Sequence, residues 1–252
     1  MNFALTTSEG TNNWWNEFFE KDYKRIGVKI STGTDSALVM YFLAKFITET
    51  EQYDREIFPQ TMIELNNKLS KAKEIAPNIV NLIRSKFPKV TIHDTTISEW
   101  LREGEYLAPR HKGHYFKPAQ EKFVIENNID RLHNEDDYVH LSGVTMNMPK
   151  SIRKLYGVEG HGSRDSENIG TNTHGEPRLD SKNPWMRYTK KTIAELYKQE
   201  NLMDDLFMLT ESCVVETEEA LKDMGADSFP CKKCYWCTEK KWAFGSYDYG
   251  IV

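Results

Sequence analysis

Apolar and polar positions along the chain alternate between two periods, and the switch between them lays out the elements. Residues 12–22 are aromatic-rich at helical spacing, and Arg25–Ile30 (RIGVKI) then alternates apolar and polar residues as a half-buried strand does. The glycine-containing turn STGTDS follows. Residues 37–47 (ALVMYFLAKFI) are apolar almost throughout, the pattern of a fully buried helix. Further strands are expected at 56–65, 89–94 and 138–142, and further helices at 67–87, 117–132 and 189–199, with Thr189 as an N-cap. Pro59 weakens the strand at 56–65, because proline cannot donate to a sheet ladder. Strands alternating with helices predict an α/β fold around a parallel sheet covered on both faces. Between 148 and 183 the periodicity gives way to Gly, Ser, Asn, Asp and Pro. A loop of that length is usually functional or mobile. Leu202, Met203 and Leu206 read as core positions, and Trp14 and Trp15 as residues packing a terminal helix, stacking on a purine or meeting a second copy.

Composition changes this picture little. The 252 residues are 39% hydrophobic and 28% charged, enough for a sizeable core and for one large domain, alone or with an appendage. Lys+Arg 33 against Asp+Glu 38 gives a net charge of -5, so no global field collects nucleic acid. No apolar run approaches the ~18 residues of a membrane span, and the first residues lack a signal-peptide pattern. A soluble cytoplasmic protein is the expectation.

Two clusters carry candidate chemistry. The first is Ser31-Thr32-Gly33-Thr34-Asp35-Ser36, placed where the first buried strand gives way to a helix. Backbone amides and the positive end of a helix dipole make such a turn an anion site. Neither a Walker A lysine nor a GxGxxG run is present, which disfavours those two nucleotide folds. Asp35 and Ser36 also suit simple helix capping, and that reading stays open. The second cluster is Cys213, Cys231, Cys234 and Cys237, spaced C-x17-C-x2-C-x2-C. Four thiolates converging on one tetrahedral ion leave no open coordination position, so the metal is expected to be structural. Zinc is favoured over an iron–sulfur cluster. Lys232, Lys233, Lys240 and Lys241 flank the cysteines and offset their charge.

These motifs together resemble a known family. STGTDS is similar to the SGGxDS loop of the PP-loop ATP pyrophosphatases, with Thr32 where most members carry glycine. Pro184–Lys191 (PWMRYTKK), then LTESC ending at Cys213, then CxxCxxCxEKKWAF ending at Phe244 occur in the order seen in the 7-cyano-7-deazaguanine synthases, the QueC family. Ser142-Gly143-Val144 matches as well, so the resemblance covers most of the chain. It implies a Rossmann-like PP-loop domain (adenine nucleotide α-hydrolase type) over 25–205. A helical extension would precede it at 1–24, and a zinc-binding region would follow at 206–252. Ile30, Ser31, Thr32, Gly33, Thr34, Asp35, Ser36 and Ala37 would hold ATP, with Asp35 and Ser36 catalytic and Mg2+ and Zn2+ as cofactors. The implied reaction adenylates 7-carboxy-7-deazaguanine and converts it with ammonia to the amide and then the nitrile. A homodimer is common among similar proteins.

The chain departs from the family in its long cysteine gap, where residues 216–228 suggest an extra helix, and in the 148–180 loop. That loop carries Lys150, Arg153, Lys154, His161, Arg164, His174 and Arg178, either a lid over an acidic substrate or a solvated insertion. Three alternatives accompany the main reading: a tRNA-modifying PP-loop enzyme, a relative that passes the deazaguanine to a protein amine, and a nucleotide-binding module without turnover.

Overall fold

The computed structural model describes residues 3–65, 67, 69–100, 112–132, 137–159, 164–165 and 182–248, with backbone only at 112–116. It is a mixed α/β structure. Strands β3 (Arg25–Lys29), β4 (Glu56–Glu64), β5 (Thr91–Ile92), β6 (Thr96–Trp100) and β7 (His140–Leu141) make one parallel sheet. Its order is β5-β4-β3-β7, with β6 continuing the β5 edge along β4.

Strand β4 shows how the sheet accommodates Pro59. Glu56 and Ile57 pair with β5, and Gln60 to Glu64 pair with β6. The residue without an N–H therefore sits in the gap between the two edge pieces, where it forfeits little. The pattern at 89–94 pointed to a single strand; β6, which it did not anticipate, pairs with β4 beyond β5 on the same edge.

Helix α2 (Thr34–Glu49) is buried on nearly every side, as its apolar run demands. Helix α3 (Ala72–Lys86) packs beside it, and the Phe123 ring of α4 (Lys112–Glu126) stacks on His140 of β7 at 5.2 Å. Residues 148–183 were expected to be loop throughout, but α5 (Lys150–Leu155) forms within them. The expected extra helix in the cysteine gap is present as α7 (Glu218–Asp223).

The segment before β3 differs from the expected helix at 12–22. Strands β1 (Leu5–Thr7) and β2 (Gly10–Asn12) form a hairpin, and α1 is only Trp14–Phe19. Threonine-rich strands around a two-residue turn at Ser8 and Glu9, with Gly10 at φ 120, favour the hairpin over helix. Trp15 is fully buried and packs on Phe46 and Trp185 at centroid distances of 5.4 and 5.9 Å. Of the readings open to this tryptophan, packing onto the core is the one the structure shows.

The hairpin rests on α6 (Lys190–Gln199). The Glu9 carboxylate accepts from the Thr189 N–H at 2.8 Å and from the Thr192 hydroxyl at 2.9 Å. Thr189 caps α6 itself, accepting from the Lys191 N–H at 3.2 Å. Among the described residues, no helix is long and apolar enough to cross a membrane.

Candidate nucleotide site and metal centre

Strands β4 and β7 lie on opposite sides of β3, so the chain changes winding direction at the β3/β7 pair. Ligands of open α/β sheets bind in the crevice beyond the carboxyl ends of strands at such a switch point. Here the crevice is a cavity of about 390 Å³, lined by Ser31, Thr32, Gly33 and Asp35 after β3 and by Gly143 and Val144 after β7. Ile30, Thr34, Ser36 and Ala37, the rest of the expected nucleotide loop, lie behind that surface.

Gly143 has to be glycine. A Cβ there would fall 2.4 Å from the Asp35 carbonyl carbon and 2.5 Å from the Ser36 nitrogen, so the β7 loop touches the first turn of α2 backbone to backbone.

The loop's carbonyls are consistently engaged. Ile30 accepts from the Thr61 hydroxyl at 2.8 Å, Ser31 from the Thr32 hydroxyl at 2.6 Å, and Thr32 from the Glu211 N–H at 3.0 Å. The Thr34 carbonyl accepts from the Tyr197 hydroxyl at 3.0 Å and that of Asp35 from the Trp185 indole at 3.1 Å. Burial holds the Tyr197 phenol well above its ordinary pKa, so it remains a donor. Ser36 turns inward, donating to the Gly33 carbonyl and accepting from the Ser31 N–H, both at 3.1 Å. Gly33 is the N-cap of α2 and brings no side-chain acceptor. The first-turn N–H groups of α2, which helix geometry leaves without intrahelical acceptors, are consequently uncapped by Gly33.

Thr32 occupies the left-handed region at φ 64. That conformation is why glycine suits the position, and a β-branched residue holds it under strain.

A buried charge cluster adjoins the loop at Asp35. Lys190 Nζ lies 3.2 Å from Asp35 Oδ2 and 3.4 Å from Glu239 Oε2. Arg164 Nη2 reaches Glu239 Oε1 at 3.2 Å, and its Nη1 donates to the Thr145 carbonyl at 2.8 Å. The Arg164 guanidinium also stacks over Trp236 at 4.6 Å. Burial works against the Lys190 ammonium, but Asp35 and Glu239 more than offset it, and its pKa is raised. The Tyr235 hydroxyl closes the cluster, donating to Glu239 Oε1 at 3.0 Å.

Lys190 and Glu239 fall within the motifs that carry the resemblance, but sequence reasoning gave neither them nor Trp236 a role. A signal for Lys190 existed. It opens α6, and no acidic residue shares its first turn, although a helix N-terminus repels cations. A lysine in that position asks for a carboxylate partner from elsewhere.

Of the expected lid residues, Arg153 is buried and clasps Asp165, with Nη2 at 2.7 and 2.8 Å from the two carboxylate oxygens. Burial opposes the Asp165 carboxylate, while Asn147 and Arg153 overcome that and keep its pKa below the usual range. Lys150 and Lys154 are exposed. His161, His174 and Arg178 lie outside the described residues.

The four cysteines come together. Their sulfurs lie within 4.8 Å of one another, and Cys231 Sγ is 3.9 Å from Cys237 Sγ. A tetrahedral ion with metal–sulfur bonds of ~2.3 Å needs sulfur separations of about 3.8 Å, so the group fits one. Backbone N–H groups of Cys234 and Cys237 point at Cys231 Sγ and Cys234 Sγ at 3.2 and 3.4 Å, as donors to thiolates do. Lys232 turns this knuckle at φ 58. Behind it, Lys240 pairs with Asp248, whose carboxylate accepts from the Ser212 N–H at 2.7 Å and the Cys213 N–H at 3.2 Å. Cys213 and Val214 also line the cavity, so the metal centre and the crevice share a wall. No protein-family model matches the chain, and no curated protein matches it.

Proposed function

We propose that this chain is an ATP-dependent ligase that cleaves ATP to AMP and pyrophosphate while adenylating a carboxylate. The observation that carries the reading is the loop at the switch point. Its carbonyls are tied back into the protein, and the uncapped N-terminus of α2 opens on a cavity of about 390 Å³. That arrangement favours phosphate and disfavours cations.

On this reading, Ser31 and Gly33 hold phosphate oxygens, Thr34 supports the turn from behind, and Asp35 is the carboxylate to which a magnesium ion accompanying ATP would bind. Lys190 supplies fixed positive charge beside them. The work of the chain is positioning and charge stabilisation. The cysteine group takes Zn2+, which cross-links the 213–237 segment and supports the cavity wall.

The resemblance in sequence selects 7-carboxy-7-deazaguanine as the acid. Its carboxylate oxygen attacks the α-phosphorus and pyrophosphate leaves. Ammonia then displaces AMP to give the amide. A second adenylation, on the amide oxygen, followed by loss of AMP and the N–H protons, gives the nitrile.

The test is AMP and pyrophosphate release from ATP with ammonium, with and without 7-carboxy-7-deazaguanine, the base product being read by mass spectrometry. AMP release that depends on the acid, with an amide or nitrile product, supports the proposal. ATP cleavage with an unchanged base overturns the acceptor, and no cleavage by folded, zinc-loaded protein overturns the activity.

A further inference from the structure

Glu239 is fully buried at the centre of the charge cluster, and the reaction above gives it no task. It cannot meet a ligand itself. Its two oxygens divide between two cations: Oε1 faces Arg164 at 3.2 Å and Oε2 faces Lys190 at 3.4 Å. Both cations line the cavity, with side chains only 15% and 4% exposed. Two such charges repel each other and lose hydration; Asp35 offsets this for Lys190 alone, and Glu239 is the counter-charge the two cations share.

Donor counting shows what the pair has to offer. A guanidinium carries five N–H donors in a rigid fork. Among the described residues, Arg164 directs Nη1 to the Thr145 carbonyl and hydroxyl and Nη2 to Glu239, with no acceptor at Nε. Lys190 has three donors and faces two carboxylate oxygens. Each cation thus keeps donor capacity beyond its internal partners.

We infer that Glu239 is a positioning residue that fixes Arg164 and Lys190 on the cavity wall as a two-cation seat for an oxyanion, beside the first turn of α2. The ligand class is a polyphosphate, because the seat lines the same cavity as the turn of Ser31, Thr32 and Gly33. The inference draws on the nucleotide reading only for the name of that anion. Arg164 follows α5 in the chain, so the seat joins it to Lys190 of α6 and Glu239 of α8 (Tyr235–Phe244).

The experiment is calorimetric titration of the full chain with inorganic pyrophosphate in magnesium-free buffer. Wild type is expected to bind, and Arg164→Gln to weaken binding at least tenfold. Glu239→Gln keeps the shape and removes the charge, and a loss of about tenfold is expected. The Glu239→Gln effect should disappear in an Arg164→Gln, Lys190→Gln background, which a merely structural role would not produce. Equal pyrophosphate affinity in wild type and Glu239→Gln, or the same loss in both backgrounds, overturns the inference. So does a wild type that does not bind. Should Glu239→Gln fail to fold, a folded Arg164→Gln with wild-type affinity overturns it alone. Pyrophosphate binding with these dependences, in a chain that never cleaves ATP, supports the seat and overturns the ligase reading instead.

Discussion

Thr32 shows how much one side chain can reveal about its backbone. The sequence marks it as the departure in an otherwise glycine-bearing loop, and the structure finds it at φ 64. Its hydroxyl bond to the Ser31 carbonyl offsets part of the strain. Thr32→Gly should therefore stabilise the fold by about 1 kcal/mol, the strain relieved exceeding the hydrogen bond lost; a thermal melt measures it, and an unchanged or lower Tm contradicts the account. Gly143→Ala should act the other way. Its methyl would meet the Asp35 and Ser36 backbone, so the loops on either side of the switch point must separate. On the proposed function, ATP affinity should fall at least tenfold even where the protein stays folded, as titration with ATP would show. His140 adds a dependence on pH. Burial, then the charges of Lys29 and Lys182, hold its pKa well below 6.5, so it is neutral in the folded chain and ionises readily only when unfolded. Its contribution to stability is complete above the unfolded pKa and declines as pH falls below ~6.5, by up to about 1.4 kcal/mol per unit. Urea denaturation of His140→Leu should show a shallower decline between pH 6.5 and 5 than wild type.

At the scale of elements, the strand–turn–helix of β3 and α2 was legible because period and turn chemistry agree there. The hairpin β1–β2 was not, since its strands are three residues each and too short to show a period. Its role depends on a partner far along the chain. Glu9 supplies the carboxylate that the N-terminus of α6, opened by Lys190 and Lys191, lacks in its own first turn. Glu9→Ala should cost about 1 kcal/mol, the value of a lost N-terminal cap. It should also loosen Lys190 and so lower pyrophosphate affinity, whereas a change in Tm without any change in affinity would separate the hairpin from the site.

For the whole molecule, the cysteine cluster is the part that spacing made plain in advance, and the structure gathers its four sulfurs at one point. One zinc per chain is expected by elemental mass spectrometry. Cys234→Ser should lower Tm and, on the proposed function, nucleotide affinity, because Cys213 belongs to the cavity wall as well as to the cysteine group. A folded variant with lower zinc content and intact nucleotide binding would show the two to be independent.

The sequence by itself determined the α/β alternation, the place of the STGTDS turn between β3 and α2, and the four-thiol group. Each is a local pattern, set by residues close together or by a side-chain type with little other use at that spacing. The tertiary structure decided the switch point at β3 and β7, the contact of Gly143 with α2, and the wall where Asp35, Arg164, Lys190 and Glu239 meet. Those four residues come from segments of the chain far apart in sequence. Only the sheet order and the docking of α6 and α8 bring them within ion-pair distance, and no local period records that.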